Sequence, residues 1–289
     1  MLKTRVIGVL AVKDEVVVQS IGFKQYLPVG VPSIAVEHLN RWGIDEIVLL
    51  DIHATLEGRR LRHDLVAEYS RHGQVPFAVG GGIGDIHDVE RLIRAGADKV
   101  VVNTAAAAQP QLIAESAREF GNQCIVVSID ARRVGPGRYE AFTRSGRQAT
   151  GRTPVELACV AERHGAGEIF LTSIDRDGSK AGYDADLITP VVEAVRIPVI
   201  VCGGVGRPVH LVEGIRLGAS AVAAANFFHY TEHSVAVAKR YAENLGASVR
   251  LDTIVGYAGF EHNADGRLKK ADDSVLEELR FVYIPEEVI

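Results

Sequence analysis

The stretch PFAVGGGIGDIHDVERLIRAGADKVVVN (76–103) indicates the fold, because it holds two apolar runs with a helical pattern between them. Residues 75–80 and 99–103 are short, apolar and largely β-branched, whereas 86–95 place apolar side chains at helical spacing. Two such runs joined by a helix are typical of a βαβ unit with parallel strands. The stretch therefore predicts part of an α/β domain with a buried parallel sheet.

The same alternation of strand and helix continues on both sides of this stretch. Helical spacing recurs at 33–42, 154–164 and 209–217. Eight such units without a second compositional block predict a closed (β/α)₈ TIM barrel over residues 1–251, with an open doubly wound sheet as the alternative. The predicted strands are 5–12, 46–51, 75–80, 99–103, 124–130, 168–173, 198–202 and 221–225.

Residues 252–289 follow the predicted barrel as a short C-terminal extension. Turn-forming residues are frequent at its start, at Gly256, Asn263 and Gly266. An amphipathic stretch at 273–279 and a β-rich end at 281–284 come after them. We interpret the extension as an appendage that covers the barrel or contacts a partner, with a merely ordered tail as the alternative.

Composition excludes several classes of function for this chain of 289 residues. Its formal net charge of −5 disfavours a nucleic-acid or anionic-membrane partner. No apolar run approaches the roughly 20 residues that cross a bilayer, and we expect a cytoplasmic protein. Cys124, Cys159 and Cys202 are too widely spaced for a zinc knuckle, which favours reduced thiols. The histidines show no metal-ligand spacing, so we expect neither a metal nor a cofactor.

The two halves of the predicted barrel resemble each other. Asp51 ends the second strand and a run of glycines follows the third, while Asp175 follows the sixth strand and a glycine pair follows the seventh. An offset of about 120 residues relates these features, which predicts two similar (β/α)₄ half-barrels. The repeat also aligns the end of the first strand with that of the fifth, where Ala11 corresponds to Asp130.

Glycine and polar residues follow several of the predicted strands. Active sites of these barrels lie at the C-terminal ends of the strands, and glycines there let backbone N–H groups approach a phosphate. Because both halves carry the feature, we expect two phosphate sites, with tight turns alone as the alternative. The residues assigned to phosphate binding are Gly81, Gly82, Asn103, Thr104, Asp177, Gly178, Gly203, Gly204 and Asn226.

A carboxylate at a strand end is a candidate general acid or base, since the strand can hold it rigid and partly desolvated. Asp130 has this position, and the alternative is an aspartate that caps the next helix. Lys13 is either a substrate anchor or part of a mobile charged loop. Further candidates for substrate contact are Asp51, Thr172 and Ser173.

Several stretches resemble the cyclase subunit of imidazole glycerol phosphate synthase, the HisF family. They are DEIVLLDI (45–52), PFAVGGGI (76–83), GADKVVVNTAA (96–106), VVSIDARR (126–133) and GAGEIFLTSIDRDGSKAGYD (165–184). The likeness extends to about residue 251. The motif TSIDRDG followed by GYD distinguishes this family from the related half-barrel-repeat isomerase of the same pathway.

The resemblance implies a barrel that receives ammonia from a glutaminase subunit docked at its N-terminal face. The ammonia crosses the core to the mouth, where it splits a phosphorylated ribulosyl-aminoimidazole carboxamide nucleotide and closes an imidazole ring. Four residues match the family's ammonia gate: Arg5, Glu46, Lys99 and Glu168. A structural salt-bridge cluster at the barrel base is the alternative for these residues.

The chain also departs from the family pattern. The family uses two aspartates as acid and base; Asp130 matches one, and Ala11 occupies the position of the other. Gln19 stands where the family has a lysine, and Asn226 replaces a small serine. At Ala11 and in VVQSIGFKQYLPVG (17–30) the chain resembles a divergent branch of the family, which favours a HisF-like paralogue that supplies ammonia to a sugar amidotransferase in surface glycan synthesis. The alternatives are an active cyclase of histidine biosynthesis and a non-catalytic, ligand-sensing activator of the glutaminase.

Overall fold

The computed structural model describes residues 3–231, 233–255, 257, 261–269, 272 and 274. Within them the chain forms twelve strands. They are β1 (Arg5–Lys13), β2 (Val16–Ile21), β3 (Gln25–Gly30), β4 (Glu46–Asp51), β5 (Phe77–Gly80), β6 (Lys99–Val102), β7 (Ile125–Gly135), β8 (Arg138–Thr143), β9 (Gln148–Ala149), β10 (Glu168–Ser173), β11 (Val199–Cys202) and β12 (Ala221–Ala224).

Nine α-helices and two 3₁₀ turns, at Asn122–Cys124 and Asn226–Phe228, connect the strands in this part of the chain. The helices are α1 (Pro32–Arg41), α2 (His63–His72), α3 (Ile86–Arg94), α4 (Thr104–Ala108), α5 (Gln111–Phe120), α6 (Pro154–Arg163), α7 (Ala185–Ala194), α8 (Pro208–Arg216) and α9 (Ser234–Asn244). Among the described residues, no helix is long and apolar enough to cross a membrane.

Eight of the strands close into a parallel barrel. Around the ring the order is β1, β4, β5, β6, β7, β10, β11 and β12, and β12 pairs again with β1. These strands are the eight predicted from the sequence, with bounds that are identical or shifted by one or two residues, except that β7 extends to Gly135. The prediction of a closed (β/α)₈ barrel is confirmed.

The strands are apolar on both faces because helices cover the outside and side chains fill the inside. Phe170 is the largest side chain of the inner cluster and is 1% exposed. Isoleucine and valine supply six of the other side chains of this cluster, and alanine supplies three. The inner cluster contains Ile7, Val9, Val48, Ala78, Val101, Val126, Phe170, Ile200, Cys202, Ala221 and Ala223.

Strand register confirms that the barrel consists of two similar halves. Ala11 of β1 pairs with Leu50, and Asp130 of β7 pairs with Thr172. Leu50 and Thr172 are each the last residue but one of their strands. Ala11 and Asp130 are therefore equivalent positions, as the repeat predicts.

Two antiparallel hairpins, which the sequence analysis did not predict, extend the equivalent strands β1 and β7. β2 and β3 follow β1, and β8 and β9 follow β7. Asp14 and Glu15, in the turn between β1 and β2, both have positive φ, as a tight hairpin turn of the primed type requires. Neither residue is a glycine or asparagine, so the usual sequence signal for such a turn is missing.

A buried ion pair ties the last helix to the start of the barrel. Lys239 of α9 is 2% exposed, and its Nζ donates to Asp45 Oδ1 at 2.7 Å and to the Gly43 carbonyl at 2.5 Å. Asp45 Oδ2 accepts the backbone N–H of Val6 at 2.7 Å. Burial lowers the pKa of Lys239, and the charge of Asp45 opposes that shift.

The extension contacts the outside of the barrel near α1 and α9. Just before the extension, Val249 forms a β-bridge with Thr4; within it, Thr253 Oγ1 donates to the Arg41 carbonyl at 2.7 Å. Gly266 lies against the backbone of α9. None of these residues lines the mouth. The stretches predicted at 273–279 and 281–284 lie outside the described residues, apart from residue 274.

Candidate active site

A cavity occupies the mouth of the barrel, at the C-terminal ends of the strands. It reaches down to Val9 and Phe170 of the inner cluster. Ala11 and Asp130 both line it, and their strands β1 and β7 lie on opposite sides of the eight-stranded ring. The position equivalent to Asp130 therefore carries only a methyl group across the mouth.

Asp130 is held within its strand and not at the start of a helix, because β7 continues past it into a hairpin. Its Oδ2 accepts a hydrogen bond from Asn103 Nδ2 at 3.2 Å, and its Oδ1 accepts one from Ser128 Oγ at 3.4 Å. Burial raises the pKa of Asp130 to about 7; the charge of Asp177 adds to the rise, and the Ser128 hydroxyl opposes it. A carboxyl with this pKa can give or take a proton near neutral pH.

Asp177 lines the same cavity from the loop after β10. Its Oδ2 accepts hydrogen bonds from Ser20 Oγ at 2.6 Å and from the Phe23 N–H at 3.2 Å, both of the β2–β3 hairpin. Its own carbonyl accepts the N–H of Gly22 at 3.1 Å. Burial raises the pKa of Asp177, and these hydrogen bonds oppose the rise.

Asp51 ends β4 at the edge of the cavity, and its carboxylate is engaged by the protein itself. Arg59 donates to both oxygens, at 2.5 and 3.0 Å. The N–H groups of His53 and Ala54 donate to Oδ1 at 3.1 and 3.0 Å. Asp51 therefore organises the loop after β4, and a ligand would meet a carboxylate that already has partners.

The first glycine of each pair lies where a side chain could not fit. Gly81 has a φ of 125°, and a Cβ there would lie 2.5 Å from the Asp51 carbonyl oxygen. Gly203 has a φ of 95°, and a Cβ there would lie 2.7 Å from the Ser173 carbonyl oxygen. Each glycine thus passes the end of the preceding barrel strand, which is a backbone requirement independent of any ligand.

The paired glycines also line two neighbouring cavities. Gly81 and Gly82 lie on the mouth cavity, together with Asn103 and Thr104. The second cavity has mixed polar lining and contains Asp177, Gly178, Gly203, Gly204, Asn226 and Lys180. The two cavities share three wall residues: Asp177, Cys202 and Ala225. The residues assigned to phosphate binding therefore form two groups on either side of a common wall.

The residues that follow β6 and β12 have the same uncommon backbone conformation. Asn103 has φ −111° and ψ −81°, and Ala225 has φ −102° and ψ −83°. A short helical turn begins after each of them. The side chains at the start of these turns have different roles. Asn226, directly after Ala225, donates to the Ser20 carbonyl at 2.7 Å and accepts the Ser20 N–H at 3.2 Å. Its amide thus fastens the β2–β3 hairpin to the second cavity.

The remaining candidates lie around the mouth with different surroundings. Lys13 is half-buried, with its Nζ 5.6 Å from the centre of the Tyr26 ring. Thr172 and Ser173 are buried at the end of β10; Thr172 lines the mouth cavity, and the Ser173 hydroxyl lies 3.4 Å from Asp184. Sequence reasoning missed Tyr26 and Ser145, which line the cavity from parts of the chain that it did not assign.

One group of three potential metal ligands occurs among the described residues, at the rim. Ligand atoms of Asp14, His53 and Glu57 lie within 4.8 Å of one another. Asp14 and Glu57 are exposed, and Arg59 Nε already donates to Glu57 at 2.6 Å. The group offers no buried, preformed metal cage.

Four charged side chains meet at the opposite end of the barrel. Each belongs to the first residue of its strand: Arg5, Glu46, Lys99 and Glu168. Arg5 donates to Glu46 at 2.5 Å and to Glu168 at 2.6 Å, and Lys99 Nζ lies 2.9 and 3.0 Å from the same carboxylates. Each cation contacts both anions, so the side chains form a closed ring across the base.

Family membership follows from a comparison with protein-family models. The family described as histidine biosynthesis protein matches residues 5–234, from the start of β1 to the start of α9. The match covers the whole barrel, both glycine pairs and the charged ring, and its enzymes include isomerases and cyclases. This chain therefore belongs to the histidine biosynthesis protein family of (β/α)₈ barrels.

Proposed function

We propose that this chain is the ammonia-using barrel subunit of a synthase of the imidazole glycerol phosphate synthase type. It takes ammonia from a glutaminase subunit docked over the charged ring and binds a ligand with two phosphates at the mouth. Ala11 favours a HisF-like paralogue in which the ammonia serves sugar amidation in surface glycan synthesis. A sugar amidotransferase is then the second partner.

The charged ring is the observation that carries this proposal. A barrel needs no ions at its base for stability, since taking charges out of water costs free energy that their attraction only partly offsets. Glu46 is 1% exposed and yet receives hydrogen bonds from two cations. A ring in which cationic and anionic side chains alternate suits an entrance that admits a small polar molecule.

The interior between the ring and the mouth supports the same reading. Alanines contribute three of the inner side chains, Ala78, Ala221 and Ala223, where barrels usually carry larger branched residues. The mouth cavity already extends to Val9 and Phe170. On β10, Phe170 lies only two residues beyond Glu168 of the ring.

The change at position 11 supports a reaction that differs from imidazole ring closure. A reaction that uses an acid on one side of its ligand and a base on the other loses about 10²–10⁴-fold without one of them. Ala11 is 7% exposed and has no proton to exchange. The ring, the glycine loops and Asp130 are nevertheless retained around it.

Ala11→Asp tests this assignment. With ammonium chloride and the phosphorylated ribulosyl-aminoimidazole carboxamide nucleotide, we expect negligible turnover for the natural sequence. We expect turnover to rise by about 10²-fold or more in the variant, because a second carboxyl then faces Asp130. Natural-sequence turnover equal to that of the variant would instead identify an active cyclase of histidine biosynthesis.

Lys99→Met in the Ala11→Asp background tests the entrance. We expect glutamine-supported turnover with a glutaminase of the histidine-biosynthesis type to fall roughly tenfold, equivalent to ~1.4 kcal/mol in the barrier. Ammonium-supported turnover should be unchanged, because dissolved ammonia reaches the mouth directly. Lys3→Met removes an exposed lysine near the same end and serves as the control. Equal loss with both nitrogen sources would contradict a role in ammonia entry.

Glutaminase activity separates the proposed function from a purely activating one. An activator without chemistry of its own would stimulate glutamine hydrolysis when a phosphosugar occupies the mouth, while no nitrogen enters that sugar. Transfer of ¹⁵N from labelled glutamine to a sugar, in the presence of the amidotransferase, is the result that the proposal requires.

A further inference from the structure

Three carboxyls line the mouth, and the two that Arg59 does not engage, Asp130 and Asp177, lie on one side of it. Asp130 belongs to β7, and Asp177 follows β10, the neighbouring strand of the ring. Thr172 of β10 pairs with Asp130, and the Asp177 N–H donates to the Ser173 carbonyl at 3.1 Å. Asp177 thus lies one turn above the end of the strand that pairs with Asp130, whereas Ala11 lies four strands away.

The β2–β3 hairpin holds the carboxyl of Asp177 in a defined orientation. Both hydrogen bonds from the hairpin, from Ser20 Oγ and the Phe23 N–H, go to Oδ2. Among the described residues, no hydrogen bond goes to Oδ1. The side chain lines the mouth cavity and the second cavity alike, so this oxygen belongs to a wall that a ligand can reach.

We propose that Asp130 and Asp177 form a proton-sharing carboxyl pair on one side of the mouth. The pair replaces the across-the-mouth arrangement that Ala11 has removed. This inference rests on the proposed function in one respect: ammonia and a phosphorylated ligand must meet in this cavity.

The charges around the pair favour a single shared proton. Burial raises the pKa of both carboxyls, and the charge of Asp177 further raises that of Asp130. The neighbouring titratable groups are the phenol of Tyr26 and the thiol of Cys202, each with a pKa raised first by burial and then by Asp177. Two cations lie near Tyr26: Arg147, whose charge opposes the rise in its pKa, and Lys13, whose Nζ lies 5.6 Å from the ring centre. Two carboxylates so placed resist losing both protons.

A pair of this kind suits addition of ammonia to the carbonyl carbon of a phosphorylated sugar. The nitrogen lone pair forms the C–N bond while the carbonyl π electrons move to oxygen, which takes the proton of Asp130. The added nitrogen then gives a proton to the Asp177 carboxylate. The pair ends with the same total charge and one proton, so the step is balanced. Both transfers occur on one side of the ligand, as neighbouring strands require.

Carboxyl titration in the intact chain tests the pair without any substrate. With ¹³C-labelled aspartate, NMR should show Asp130 titrating in two steps, one of which coincides with the titration of Asp177. In Asp177→Asn we expect a single step for Asp130, moved to lower pH, because the neighbouring charge is gone. Asp186→Asn removes an exposed carboxylate of α7 and should leave the titration of Asp130 unchanged.

Ser20→Ala provides a second variant that keeps both carboxyls. Loss of the hydroxyl donor should move the Asp177 titration to higher pH, and Asp130 should respond in the same samples. If Asp130 titrates identically in the natural chain and in both variants, the pair is refuted. Coupled titration without any transfer of ¹⁵N from labelled glutamine to a sugar would keep the pair and overturn the proposed function, so the two failures are distinguishable.

Discussion

Asp130→Asn is expected to lower ammonium-supported turnover of the ribulosyl-aminoimidazole carboxamide nucleotide by about 10²–10⁴-fold in the Ala11→Asp background. Asparagine has nearly the same shape and keeps an oxygen for Asn103 Nδ2, but it can neither give nor take a proton. Steady-state rates at several pH values measure the effect. A loss below fivefold would show that Asp130 is not the acid or base.

Asp130→Asn alone is expected to lower activity but to raise the stability of the folded chain at high pH. The pKa of Asp130 is raised to about 7 by burial, so between its ordinary value and pH 7 the folded state binds more protons than the unfolded state. Natural-sequence stability therefore falls as pH rises through that window, and the loss is complete above pH 7. Asp130→Asn should unfold at higher urea concentration than the natural chain at pH 8, with little difference at pH 4.

Lys239→Met is expected to destabilise the barrel by about 3–5 kcal/mol, because it leaves the carboxylate of Asp45 buried without its cation. Urea unfolding followed by circular dichroism measures the change. The Asp45→Asn exchange in the same chain should restore part of the loss, since the asparagine oxygen can still accept the Val6 N–H.

Arg240→Met is the matched control for this prediction. Arg240 is the next residue of α9, and its partner Glu243 lies at the surface. Removing it should change the free energy of unfolding by less than about 1 kcal/mol, as is usual for exposed ion pairs. Similar losses for Lys239→Met and Arg240→Met would contradict a special role for the buried pair.

The barrel itself was predictable because its signals are local. Each strand is a short apolar run, and each predicted helix has its apolar residues at regular spacing. The repeat aligned Ala11 with Asp130, and the strand register confirms that alignment. The charged ring could be anticipated only through the family resemblance, since its members are spread from position 5 to position 168.

The parts of the site that the sequence did not predict depend on contacts between distant residues. Asn226 binds the backbone of Ser20, and Asp51 binds Arg59 through a loop with no regular pattern. The turn between β1 and β2 is formed by Asp14 and Glu15, neither of which is a glycine or asparagine. The glycine pairs illustrate a further limit, because their close approach to neighbouring strands explains them with or without a phosphate.

The contacts of the β2–β3 hairpin have a consequence for how this barrel could be divided. The hairpin belongs to the N-terminal half, yet Ser20 and its neighbours complete a cavity of the C-terminal half through Asp177 and Asn226. A C-terminal half expressed alone, or a symmetric barrel made from two copies of it, would lack Ser20. Fragment complementation should therefore regain the second cavity only when the N-terminal fragment retains its hairpin, which makes the two halves non-interchangeable despite their common architecture.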